Sequence, residues 1–365
     1  MKKIINFEES LDDIKDVKIF FGKHDGIQRF DRYKYPITDR LIKVQQGATW
    51  FPREVNFGKD RAAFSSVLSP EFQTIYKANL LFQTAADSLA NRFLDNVLSQ
   101  YVTSPEWEAV LKWQAHFELI HSDAYSWNIR EVFSNPEQFF NEGFKTPEIR
   151  SRLDIEIKSY SELEEKLLIG SLDDKKKALL EVIVRQYVLE SIRFFVSFLY
   201  TFKINELNSQ VLQGSENNII LIANDEQIHV SIFKALINTL RTNPSEEFSH
   251  LFDEDFNNLA NSFFQEVIDS ELEWFKYLSS IQEIQGFTED SLRAFLEFYA
   301  GSALDGIKIA SSYSNEPTEL TNFFKTKINI RGQKSLAQET DLLSYSIGVL
   351  TDGGFLTDDL TVTLP

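Results

Sequence analysis

The 365-residue chain has no cysteine. Disulfides, thiolate metal sites and thiol nucleophiles are therefore excluded, and any thiol chemistry it joins must come from a partner. Helix breakers are scarce, with 14 glycines and 9 prolines against 43% hydrophobic residues. Few breakers with many Leu, Glu, Phe and Ala point to an all-α chain. A basic excess is missing as well: 37 Lys and Arg face 55 Asp and Glu, for a net charge of −18. No Lys/Arg cluster stands out, so binding to nucleic acid or to anionic surfaces is not expected. Long apolar runs are also lacking. The longest, 194-FFVSFLY-200, falls far short of the roughly 20 residues that span a bilayer. The N-terminal MKKIINFEES has no apolar stretch of signal-peptide length, so a cytoplasmic protein without a membrane segment is expected.

What is present is an aromatic core, with 32 Phe and 5 Trp. Residues 1–66 read as irregular, with turn signals at Gly22 and Gly26. Ser69-Pro70-Glu71 then opens a helix to about Tyr101, and Ser104-Pro105-Glu106 opens another to about Phe133. Each has an N-cap serine, a proline at the first helical position and an acid in the first turn. Further helices are expected near 146–170, 174–206, 214–242, 246–283 and 287–312. The stretch 178-ALLEVIVRQYVLESIRFFVSFLY-200 is apolar nearly all round, so it must be central. Residues 1–332 read as one helical domain, and the polar 333–365 as a mobile tail.

The motif that carries chemistry is E-x-x-H, present as Glu118–His121 and again as Glu226–His229. Residues three apart on a helix lie side by side, so each pair can offer a carboxylate and an imidazole to one ion. Two further acids stand alone in apolar helices: Asp87 in 84-TAADS-88 and Glu190 between Leu189 and Ile192. A lone buried carboxylate is costly unless it is paired or metal-bound. Two E-x-x-H pairs plus two such acids, each from its own helix, make the dinuclear site of ferritin-like bundles. The expected ligands are Asp87, Glu118, His121, Glu190, Glu226 and His229, a set suited to iron or manganese. The bland alternative places the pairs on the surface and the acids in core salt bridges, with Arg185 or Arg193 beside Glu190. Glu118, His121 and Tyr125 fall within roughly 60° of one another on the helix, with Gln114 one turn back. His24, His116 and His250 read as structural or surface residues.

The segments 80-LLFQTAADS-88, 118-ELIHSDAY-125, 189-LESIRFFVSF-198 and 222-IANDEQIH-229 resemble the small, radical-generating β subunit of class I ribonucleotide reductase. The resemblance runs from about residue 17 to the C-terminus and includes the 31-residue step from Asp87 to Glu118. It implies a ferritin-like homodimer with two iron ions per chain, manganese being possible for the same ligands. It further implies that Tyr125 becomes a stable neutral radical when the reduced metal pair reacts with O2. Phe194, Phe198 and Ile222 match the apolar pocket around that radical, although ordinary core packing accounts for them equally. Trp50, in 45-QQGATWFPREV-55, matches a relay tryptophan, and Asp225 the acid linking it to His121. Tyr345 matches the last relay, and the tail around it the segment that docks into the large catalytic α subunit. Gln114 stands where some members have tryptophan and others glutamine; it is expected to hydrogen-bond a ligand carboxylate. The final residues depart from the family's pattern, so partner specificity should differ. A di-iron oxygenase and an iron-storage protein are the rival readings; neither needs Tyr125, Trp50 and a tail tyrosine together.

Overall fold

The computed structural model describes residues 14–23, 27–143 and 145–328. Tyr345 and the tail lie outside them. Among the described residues the fold is all-α, its only β feature an isolated bridge between Phe20 and Val102. No described helix is long and apolar enough to cross a membrane.

The two Ser-Pro-Glu signals open α3 (Pro70–Asn96) and α4 (Pro105–Val132). Ser69 and Ser104 accept the backbone N–H of Phe72 and Trp107 at 3.3 and 3.4 Å. Each cap satisfies an amide the helix cannot, which is worth about 1 kcal/mol.

Two helices lie where irregular chain is expected: α1 (Pro36–Ala48) and α2 (Gly58–Ser66). Tertiary packing makes them. On α1, Thr38, Leu41, Ile42, Gln45 and Ala48 form a buried stripe against α4 and α9 (Gln213–Thr242). Its start is pinned from α4, where Glu106 accepts the backbone N–H groups of Lys34 and Tyr35 at 2.7 and 2.9 Å. Helix α2 serves α9, whose N-cap residue Leu212 offers no side-chain cap. Asp60 accepts the buried helix-start amides of Gly214 and Ser215 at 3.0 and 2.6 Å instead. Gly214 is required there, because a Cβ would lie 2.4 Å from the Asn56 carbonyl oxygen.

A short helix, α5 (Pro136–Gly143), and a long one, α6 (Pro147–Ile169, at the expected place), follow α4; only the first is unanticipated. The central apolar stretch is not one helix. It runs as α7 (Leu172–Val188), a π turn (Leu189–Arg193) and α8 (Phe194–Leu207). Every residue from Gln186 to Thr201 is buried, so the segment is central as read. The expected helix at 246–283 is two 3-10 turns followed by α10 (Glu254–Ile281). Helices α11 (Glu289–Gly306) and α12 (Glu319–Ile328) close the bundle.

Candidate metal centre

Helices α3, α4 and α9 and the π turn surround one buried point. Helix α3 delivers Asp87, α4 delivers Glu118, His121 and Tyr125, the π turn delivers Glu190, and α9 delivers Asp225, Glu226 and His229. All eight are at most 1% exposed. Three-residue spacing puts each Glu beside its His, as the geometry of a helix dictates.

The atoms divide into two groups, each able to hold one cation: Asp87, Glu118, His121 and Glu226, and Glu118, Glu190, Glu226 and His229. The shared acids split their oxygens between the groups. Glu118 Oε2 and Glu226 Oε1 lie 3.6 and 3.2 Å from His121 Nδ1. Glu118 Oε1 and Glu226 Oε2 lie 3.3 and 2.8 Å from His229 Nδ1. Asp87 Oδ1 closes the first group at 3.1 Å from His121, and Glu190 Oε2 the second at 3.7 Å from His229. Two carboxylates shared between the groups and one belonging to each group alone thus make a donor set that fits a dinuclear centre.

Electrostatics argue the same way. Burial pushes the Asp87 carboxyl up to about 6 and the Glu118 carboxyl up to about 7, and it raises Glu226 too. Burial alone would lower both imidazoles, but the surrounding carboxylates, Glu226 foremost, outweigh it and raise them well above normal. Asp87 Oδ2, both Glu118 oxygens, Glu190 Oε2 and Glu226 Oε1 have no hydrogen-bond partner. Neither arginine of the bland alternative helps: Arg185 pairs with Glu266, and Arg193 with Glu156 and Glu271. Unpaired buried oxygens facing one another are unfavourable until a cation joins them, so the donor set fits two divalent ions.

Beyond the six residues, Asp225 Oδ2 lies 3.2 Å from His121 Nε2 and accepts the Trp50 indole N–H at 2.7 Å. A carboxylate behind a ligating imidazole fixes its tautomer, with the proton on Nε2 and the lone pair on Nδ1 toward the centre. Trp50 is 6% exposed, while its neighbour Phe51 is 60% exposed, so the line ends just beneath the surface. Tyr125 is fully buried, and its hydroxyl has no hydrogen-bond partner. Burial, then the charge of Asp87, raises its pKa well above the ordinary value. Phe194, Phe198 and Ile222 are fully buried in the same core, the two rings stacked with centroids 6.0 Å apart. Gln114 Nε2 reaches Glu190 Oε1 at 3.5 Å.

A family model described as "Ribonucleotide reductase, small chain" matches residues 28–320. The chain belongs to the ribonucleotide reductase small-chain family. Among small chains, it is 27% identical to the ribonucleoside-diphosphate reductase 1 subunit beta of Salmonella typhimurium, over 97% of this chain and 98% of that one. It is 24% identical to the corresponding subunit of Enterobacteria phage T4, over 92% of each. Among solved structures, the R2 subunit from Clostridium botulinum superposes with a TM-score of 0.79 at 19% identity, covering 90% of this chain and 98% of that one. That likeness bears on the fold, which is a ferritin-like bundle with extra helices.

Three features of this small chain escape the sequence reading. The π turn places Glu190, and no residue pattern announces it. Phe117 sets its ring edge-on to both imidazoles, with centroids 6.5 Å from His121 and 6.2 Å from His229. Gln186 donates to Glu190 Oε1 at 2.7 Å. A lone amide one turn before a buried acid, in an otherwise apolar run, was a readable signal. His116 and His250 are exposed, and His250 pairs with Asp173.

Proposed function

We propose that this chain is the radical-generating small subunit of a class I ribonucleoside-diphosphate reductase, active only with a large α subunit. The observation that carries the reading is Tyr125, sealed one helical turn from His121, together with the Trp50–Asp225–His121 line leading outward. A storage protein or an oxygenase has no use for both.

The first ion would be held by Asp87, Glu118, His121 and Glu226, the second by Glu118, Glu190, Glu226 and His229. Held there, an iron pair would supply, with O2, the oxidising equivalent for Tyr125, and the same O/N donors would accept manganese. The residues do the rest. Carboxylate charge and burial keep the phenol protonated until it is oxidised. The closed core around it excludes water and external reductants from the resulting neutral radical. Asp225 couples the indole of Trp50 to His121 through one shared oxygen, so electron movement along the line can be matched by small proton shifts. Tyr345 is the proposed last relay to a thiol of the large subunit, in keeping with a chain that has no thiol of its own. The subunit is proposed to act as a homodimer.

The test uses iron-loaded protein with a large subunit of the same family. Asp225→Asn should form the tyrosyl radical yet lose ribonucleotide reduction by more than a hundred-fold. Turnover by the small subunit alone, or wild-type turnover by Asp225→Asn, would overturn the reading.

A further inference from the structure

Glu190 differs from the other three carboxylates of the centre in how its two oxygens are used. Oε1 accepts the Gln186 amide at 2.7 Å and that of Gln114 at 3.5 Å. Oε2 has no hydrogen-bond partner and faces His229 Nδ1 at 3.7 Å. Gln186 is fully buried, and its own carbonyl oxygen accepts the Tyr160 hydroxyl at 2.5 Å. That bond fixes which end of the amide faces inward. A flipped amide would set its oxygen against the carboxylate, with no proton between them. Tyr160 is itself immobilised, stacked on Phe93 with centroids 4.6 Å apart and rings within 9° of parallel. It is partly exposed, in a shallow dimple with Glu156, Ser159, Arg185 and Phe263.

We infer that Gln186 and Tyr160 are positioning residues that hold Glu190 Oε1 away from the centre, so that Glu190 offers a single oxygen, Oε2, to the second ion. The π turn makes such a brace necessary. Glu190 sits on wider, less regular backbone than its three counterparts, and a free carboxylate there can turn either oxygen inward. The brace crosses from α6 through α7 to the π turn, so the dimple on the surface is mechanically joined to the centre. The inference rests on the proposed metal centre.

Manganese(II) is the probe. Metal-free protein is titrated while the free ion is followed by electron paramagnetic resonance, and the carboxylate stretches of the loaded protein are recorded by infrared difference spectroscopy. Wild type should take up two ions per chain; failure there sinks the metal centre itself, not the brace alone. Gln186→Met keeps the volume and removes the donor. It should weaken one of the two ions by about 10–100-fold and leave the other unchanged. The wide splitting of a one-oxygen carboxylate should narrow in the same variant. Tyr160→Phe preserves the ring stack, so its folding is not at issue, and it should move both readouts in the same direction by less. Gln186→Glu sets charge against charge and should not rescue. If wild type binds two ions while Gln186→Met and Tyr160→Phe keep its affinities and carboxylate bands, the brace is wrong and the centre stands.

Discussion

Glu190 and Arg193 sit three residues apart on one π turn, and the charge around each is organised differently. Around Arg193 every residue meets its counter-charge. Arg193 Nε and Arg152 Nε donate to Glu271 Oε1 at 3.0 and 2.9 Å, and Arg193 also pairs with Glu156. Ser270 and Ser197 take further guanidinium hydrogens, and the Arg152 guanidinium lies 3.5 Å from the Phe82 ring centre. One nitrogen of Arg152 and one oxygen of Glu156 stay unpartnered, yet two cations face two anions. Around Glu190, four carboxylates face two imidazoles, and most of their oxygens accept nothing. Folding completes the first cluster. The second is left in excess of negative charge, and only ions complete it. Burial of charge therefore has two uses in this core, and the partner count tells them apart.

The balanced cluster should show the largest effect of a single substitution. Arg193→Met strands Glu156 in the interior, leaves Glu271 to Arg152 alone, and should cost about 3–5 kcal/mol in urea unfolding, with or without metal. A cost under about 1 kcal/mol would show that this cluster is not the dry, paired one described.

The unbalanced cluster should respond to ions instead. Manganese(II) at about 100 times its Kd should stabilise the metal-free protein by about 3 kcal/mol in thermal unfolding. Glu226→Gln should abolish that shift and, by removing one excess charge, raise the stability of the metal-free protein by roughly 1–2 kcal/mol. A mutation that destabilises the metal-free protein here would place Glu226 in the first class of cluster rather than the second.

Acidity gives the smallest effect. On unfolding, Asp87 and Glu118 fall from about 6 and about 7 to ordinary values of 3.8 and 4.5. The folded state therefore holds more protons than the unfolded chain in this range, and the site's contribution to stability is lost as pH rises through 6 and 7. The raised imidazoles act in the same sense at higher pH. Metal-free protein should thus melt lower at about pH 7.5 than at about pH 5.5, and manganese affinity should rise over that interval as the ion displaces those protons. Affinity that does not change with pH would contradict the shifted carboxylates.

Residues that carry their own signal were legible in the sequence. Ser69 and Ser104 are local caps, and Glu118–His121 and Glu226–His229 are local pairs, so helix period alone brings them together. Asp87 and Glu190 were legible as anomalies, acids where an apolar helix should have none. What stayed hidden depends on distant partners. Helices α1 and α2 have weak local signals and exist because Glu106 receives one and Asp60 supplies a cap to α9. The π turn redistributes backbone hydrogen bonds without any change of composition. The link from Tyr160 to Glu190 joins residues 30 apart through an amide whose role only its two neighbours define.

The proposed task of this centre is to oxidise Tyr125. Metal-free protein, with Tyr125→Phe alongside, should be given ferrous iron and air, then examined by electron paramagnetic resonance and visible absorption. A tyrosyl signal in wild type, absent from a variant that still oxidises iron, is the predicted result. Iron oxidation with no radical in wild type, or the same signal in Tyr125→Phe, would contradict it.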